Sequence, residues 1–174
     1  VDPKHHPLIL AVDDTPRDLD LLVTLLERQG YEVASAVDGA QALEQVAKHQ
    51  PDLILLDIQM PGMDGLETCR RLKAEPSTQD IPVIFLTALI QSSEILAGFA
   101  AGAVDYVTKP FQVPELLARV LAHVELRLAR KKIHILQGFL PTCAHCKKIR
   151  DEQGTWHALE TYITEHSEAQ FSHG

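Results

Sequence analysis

The chain has 174 residues with a formal net charge of −8, 45% hydrophobic and 23% charged, which excludes a large multidomain enzyme and a predominantly disordered chain. The charge is unevenly spread: residues 1–112 carry 8 Lys and Arg against 17 Asp and Glu, whereas residues 113–174 carry 8 against 7. The acidic balance argues against bulk nucleic-acid binding, and its change along the chain marks two modules.

The amino terminus, Val1 to Pro7, has no apolar run and so no export signal. It starts on Val rather than Met, which reads as a processed, trimmed or alternatively started end. From Leu8 onward, short apolar runs alternate with segments of helical period, the pattern of βα units around a parallel sheet. Five strands are expected, at Leu8–Val12, Glu32–Ala36, Leu53–Asp57, Val83–Thr87 and Asp105–Val107. Thr15 before Pro16, with Asp18 in the first turn, signals a helix start, and Leu19, Leu22, Val23 and Leu26 form its apolar stripe up to a stop at Gly30. Asp64 and Glu67 have capping-box spacing before another helix, which carries Cys69 as a small buried or half-buried residue.

A fifth helix is expected from Pro114, with no Gly or Pro before Gly138, and would exceed about 30 Å. Leu116, Leu117 and Val120 suit docking on the sheet. Leu117, Leu121, Val124, Leu128 and Ile135 fall at alternating spacings of four and three, broken by Lys131. Two readings stand: one long amphipathic helix lying on its own domain, and a coiled-coil connector that joins two chains. The second is the expectation, and it predicts a homodimer through helix five and the connector. No apolar stretch approaches the roughly 20 residues of a membrane span, and Cys69, Cys143 and Cys146 are too few for a disulfide framework, which points to a reducing cytoplasm.

Strands of an open parallel sheet bring their carboxyl ends to one edge, where ligands bind. Asp13 and Asp14 end strand one, Asp57 ends strand three, Thr87 ends strand four and Lys109 follows strand five, so all five converge. A lone Asp at such a place is ordinarily a helix cap or a solvated loop residue. Three carboxylates together repel one another and call for a cation or a proton, and an oxygen-rich set of this kind suits Mg²⁺ shared with phosphate.

Four motifs in order, Val12-Asp13-Asp14, Leu55-Leu56-Asp57-Ile58-Gln59-Met60-Pro61-Gly62-Met63-Asp64-Gly65, Phe85-Leu86-Thr87-Ala88 and Gly102-Ala103-Val104-Asp105-Tyr106-Val107-Thr108-Lys109-Pro110-Phe111, resemble the receiver domain of two-component response regulators over about residues 7–127. The resemblance implies a flavodoxin-like (βα)5 doubly wound α/β fold, here with an extended fifth helix and a small appendage. It implies that Asp57 takes a phosphoryl group from a histidine kinase or a phosphotransfer protein. Mg²⁺ is then held by Asp13, Asp14, Asp57 and the backbone carbonyl of Gln59. Lys109 pairs with the acyl phosphate, Thr87 donates its hydroxyl to it, and Ala88 leaves room for it. Tyr106 stands at the family's aromatic switch position, against the plainer reading of a partly exposed strand Tyr, and the Lys109–Pro110 bond is expected to be cis. Such a chain is a phosphoacceptor and not an enzyme acting on a separate substrate.

The expected division is a receiver at 1–127, a helical connector at 128–138 and a tail at 139–174. The tail resembles a short module of bacterial signalling proteins through Cys143-Ala144-His145-Cys146-Lys147-Lys148-Ile149-Arg150-Asp151, Trp156 with a helix to about His166, and Ser172-His173-Gly174. Cys143 and Cys146 are candidate Zn²⁺ ligands, but the module's second cysteine pair is missing, and zinc binding in a longer parent, a site completed by His or a second chain, and no metal all stay open. Lys147, Lys148 and Arg150 read as solvated surface. No DNA-binding helix-turn-helix, cyclase or phosphodiesterase signature is seen in the residues after the receiver, so no DNA contact is expected of them. Two alternatives remain: the receiver of a larger hybrid sensor kinase, favoured by the missing Met and the tail's end, and a haloacid-dehalogenase-type phosphatase. The latter places its nucleophilic D-x-D first and an acidic pair last, unlike the order here.

Overall fold

The computed structural model describes residues 6–88, 92–137, 148–150, 155–158 and 161. Five strands, β1 (Leu8–Val12), β2 (Glu32–Ala36), β3 (Leu53–Asp57), β4 (Val83–Thr87) and β5 (Asp105–Thr108), alternate with helices α1 (Pro16–Arg28), α2 (Gly39–His49), α3 (Gly65–Ala74), α4 (Ser92–Ala100) and α5 (Val113–Gln137). The strands form one parallel sheet in the order β2-β1-β3-β4-β5. This is the flavodoxin-like receiver fold expected from the sequence, with β5 one residue longer than its apolar run suggested.

The unbroken apolar runs have a direct cause. Successive strand residues face opposite sides, and both sides of this sheet are covered. Leu10, Val12, Ile54, Leu56, Val83 and Phe85 pack into one buried cluster with Ala42, Val46, Cys69 and Leu72 from α2 and α3. The residues between them, Ile9, Ala11, Leu53, Leu55, Ile84 and Leu86, pack on the other side with Leu19, Leu22 and Leu26 of α1 and Leu116, Val120 and Val124 of α5. Cys69 is fully buried, donates its thiol proton to the Ala101 carbonyl at 3.4 Å, and is pushed by burial up to about 11. It is a packing residue, as expected.

Helix ends follow their local chemistry with two departures. Asp38 and Asp64 cap α2 and α3 by accepting from the amides of Gln41 and Glu67, but the Glu67 carboxylate turns to Arg71 at 2.9 Å and Arg70 at 3.5 Å. The capping box is therefore only half made. Thr15 precedes Pro16 of α1 without capping it through its side chain.

The chain divides into two compact units, Val1–Leu128 and Ala129–Gly174. In the second, β6 (Ile149–Arg150) pairs antiparallel with β7 (Trp156–His157). Cys143, Cys146 and most of the helix expected up to His166 lie outside the described residues. The α5 seam is largely used within its own unit: Val124 is buried, and Leu117 and Leu128 pack against the core cluster shared with α1, while Leu121 is 50% exposed. No helix among the described residues is long and apolar enough to cross a membrane.

Strand β5 is tied to α5 by charge. Asp105 accepts twice from Arg119 at 2.8 Å and lies 3.2 Å from His123 Nε2, while Arg119 also reaches Glu115 at 2.9 Å. Burial alone would raise the Asp105 carboxyl, but hydrogen bonds from Arg119, the Tyr106 amide and His123 outweigh it and hold the group below its ordinary value. A carboxyl depressed on folding adds stability above its unfolded pKa and loses it as pH falls through the folded value. Arg119→Ala should therefore cost about 1 kcal/mol at pH 7, the scale of a partly exposed pair. The gap from the unmutated chain should close below about pH 4, as read by urea unfolding at both pH values.

Candidate functional site

The order of the sheet reverses between β1 and β3, which lie side by side with Val12 opposite Leu56. The residues that follow in register are Asp13 and Asp57, so the two carboxylates meet at the switch point of the sheet. On the other flank, Thr87 pairs with Thr108, and the Lys109 amide donates to the Thr87 carbonyl at 2.7 Å. That register delivers Lys109 to the same edge, and the Lys109–Pro110 bond is cis.

Asp13 is fully buried, Asp57 is 5% exposed and Thr87 is 2% exposed, while Asp14 faces solvent. One carboxylate oxygen from each of Asp13, Asp14 and Asp57 can be grouped within 4.8 Å of the others. The Lys109 ammonium donates to Asp13 Oδ2 at 2.6 Å and Asp57 Oδ2 at 2.7 Å. Desolvation would lower its pKa, but these two carboxylates more than offset that and hold it above the ordinary lysine value. The remaining oxygens are fixed by the backbone: Thr15 N–H donates to Asp13 Oδ1 at 2.9 Å and Gln59 N–H to Asp57 Oδ1 at 3.0 Å. Each carboxylate thus keeps a set orientation.

Asp13, Asp14, Asp57 and Lys109 meet at this edge, with the Gln59 amide on Asp57. Thr87 and Tyr106 both line a narrow apolar hollow with Ile58, Phe85, Ile95, Gly98, Phe99 and Ala103. Tyr106 is half-buried, its ring edge-on to Phe99 with centroids 6.2 Å apart. Cys143 and Cys146 lie outside the described residues and contribute nothing to this cluster.

Two further contributors are not evident from sequence pattern. Asp18, which the sequence presents as an acidic residue at a helix start, reaches within 3.5 Å of Lys109 Nζ. Gly65 donates its N–H to the Ile58 carbonyl at 2.9 Å. A methyl group there would meet the Asp57 carbonyl oxygen and come within 2.8 Å of Ile58 Cα, so α3 sits directly against the Asp57 backbone. The Asp64-Gly65 step after the β3 motif carried that signal. Gly65→Ala should cost about 1 to 3 kcal/mol by overpacking and displace Asp57. Denaturant unfolding, together with phosphoryl incorporation into the folded fraction, checks both parts.

A family model described as response regulator receiver domain matches residues 9–121. Over 116 residues the chain is 49% identical to the DNA-binding dual master transcriptional regulator RpaA of Synechocystis, covering 67% of this chain and 48% of that protein. It is 44% identical over 120 residues to the response regulator PleD of Caulobacter vibrioides, covering 69% and 26% respectively. The chain therefore spans about half or less of these two curated relatives. Among solved structures, a response regulator from Chloroflexus aurantiacus aligns with a TM-score of 0.67 and 39% identity, covering 70% of this chain and 99% of that one. The chemotaxis protein CheY4 of Vibrio cholerae aligns at 0.66 with 30% identity, covering 68% and 98%. Neither the module resemblance of the tail nor a zinc site at Cys143 and Cys146 gains support from these matches, which fall on the receiver part.

Proposed function

The chain belongs to the response regulator receiver domain family, and on that premise we propose that Asp57 is its phosphoacceptor and that Thr87 and Tyr106 relay the event to the surface around α4 and β5. The observation that carries the reading is the Asp57 carboxylate itself, nearly buried, oriented by the Gln59 amide and faced by the Lys109 ammonium at 2.7 Å. The family match and the motif order both disfavour a haloacid-dehalogenase-type phosphatase.

The donor set fits Mg²⁺. It consists of hard carboxylate oxygens from Asp13, Asp14 and Asp57, close enough to share one ion, with the Gln59 carbonyl as a further oxygen ligand in this reading. When bound, the ion supplies positive charge against the clustered carboxylates and the phosphoryl oxygens. In the transfer, an Asp57 oxygen attacks phosphorus in line, and the bond from phosphorus to the donor imidazole nitrogen breaks with its electron pair going to the imidazole. Phosphoryl transfer depends on positioning and charge neutralisation. Lys109 turns from the free carboxylate to the new phosphoryl oxygens, and the Thr87 hydroxyl donates to another of them.

Relay to the surface follows from adjacency. Movement of Thr87 changes the hollow that Tyr106 lines, and Tyr106 packs on Phe99, which is itself exposed on α4, as are Leu96 on the same helix and Val104 just before β5. In this reading a histidine kinase or phosphotransfer protein supplies the phosphoryl group, and the output is contact of that surface with a partner or a second copy. Incubation with acetyl phosphate and Mg²⁺ should add one phosphoryl group per chain by intact mass, and none with chelator present. Amide NMR shifts should then spread from Asp57 to α4 and β5. Shifts confined to the acidic pocket would defeat the relay.

A further inference from the structure

Among the described residues, Asp18 is a further carboxylate at this edge, beyond those that would hold Mg²⁺ or take the phosphoryl group. It stands in the first turn of α1, about one third exposed, with Oδ2 3.5 Å from Lys109 Nζ. It is absent from the group of Asp13, Asp14 and Asp57 that could share an ion. Together with Leu21, Lys109, Pro110 and Phe111 it lines a groove beside the ammonium. Lys109 is thus held by two inner carboxylates, at 2.6 and 2.7 Å, and one outer carboxylate at 3.5 Å. The inner two are those that a divalent cation and a phosphoryl group would claim.

The geometry points to Asp18 as a positioning residue for Lys109, an outer partner that accepts the ammonium when a cation takes the inner oxygens and competes for it once phosphate arrives. This inference rests on the phosphoacceptor reading. It predicts effects of opposite sign on cations and anions. Removing the Asp18 charge takes one negative charge from beside the metal ligands and lets Lys109 stay on Asp13 and Asp57, so both changes weaken Mg²⁺ binding. The same removal lessens repulsion of an anionic donor and leaves Lys109 freer to meet it, so both changes speed loading.

The test compares Asp18→Asn, Asp18→Glu and the unmutated full chain. Mg²⁺ affinity is measured by titration calorimetry, and phosphoryl incorporation from acetyl phosphate at saturating Mg²⁺ is measured by mass. In that reaction the bond from phosphorus to the acetate oxygen breaks, a bond from phosphorus to an Asp57 oxygen forms, and acetate leaves with the electron pair. Asp18→Asn should bind Mg²⁺ about two- to fivefold more weakly and load about two- to fivefold faster, the range of a partly exposed ion pair. Asp18→Glu should restore both values toward those of the unmutated chain. A labelled unmutated chain with no shift in either quantity for Asp18→Asn, or with a loss in both, overturns the proposal. An unmutated chain that takes no label overturns the phosphoacceptor reading itself.

Discussion

Asp57→Asn should take no phosphoryl group from acetyl phosphate or from a phosphorylated histidine donor, and should keep the fold. Loss of labelling is expected to be complete because the neutral amide oxygen lacks the negative charge that makes a carboxylate nucleophilic enough to attack phosphorus. Asp13 cannot substitute: it is fully buried, with one oxygen held by the Thr15 amide and the other by Lys109. Asp14 is exposed and lacks the contact with Lys109 that Asp57 has. The fold should survive because Asn retains the shape of Asp, an oxygen for the Gln59 N–H and one fewer charge among mutually repelling carboxylates. Intact mass and thermal unfolding on the same preparations decide the matter. Stoichiometric labelling of the variant would remove Asp57 from its assigned role.

The parts of this structure that were legible in the sequence share a physical cause. Leu53–Leu56 and Val83–Leu86 are unbroken apolar runs because each strand is buried on both faces, and with Leu8–Val12 they make three such runs which, flanked by the less buried edge strands β2 and β5 and alternating with helical periods, leave few alternatives to a doubly wound sheet. Once the strands are placed, Asp13, Asp57, Thr87 and Lys109 must share an edge, since parallel strands end together. The less legible features depend on which surfaces meet. Leu117, Leu121, Val124 and Leu128 have spacings of four and three that serve equally for a coiled-coil seam and for a stripe facing one's own sheet, and here Leu117, Val124 and Leu128 pack into the domain's own core while Leu121 is half exposed. Periodicity does not name the partner. Asp18 was hidden for a related reason: an acid in a helix's first turn is explained locally by the exposed N–H groups there, which masks its proximity to Lys109, 91 positions along the chain. Gly65 left a trace in the β3 motif, but the approach of its backbone to Asp57 appears only in three dimensions.

Lys109→Met should make the fold depend on divalent cation. In the folded chain the ammonium lies 2.6 Å from the wholly buried Asp13 and 2.7 Å from Asp57. Removing one partner of such a group leaves the others charged and desolvated, a loss of about 3 to 5 kcal/mol for buried ion pairs. That corresponds to a fall in melting temperature on the order of 10 °C for a domain of this size. Met fills the space of the lysine stem, so the cost isolates charge from packing. The carboxylates then have two ways to recover, by taking a proton or by taking a metal ion, and Mg²⁺ no longer has to displace an ammonium from Asp13 and Asp57. The variant should therefore melt well below the unmutated chain in chelator, regain most of the difference in millimolar Mg²⁺, and bind Mg²⁺ more tightly. Thermal unfolding in both conditions measures this directly. Equal melting of the two proteins in chelator would mean that the Asp13–Lys109–Asp57 bridge contributes no net stability, and that Lys109 is held in place for the chemistry alone.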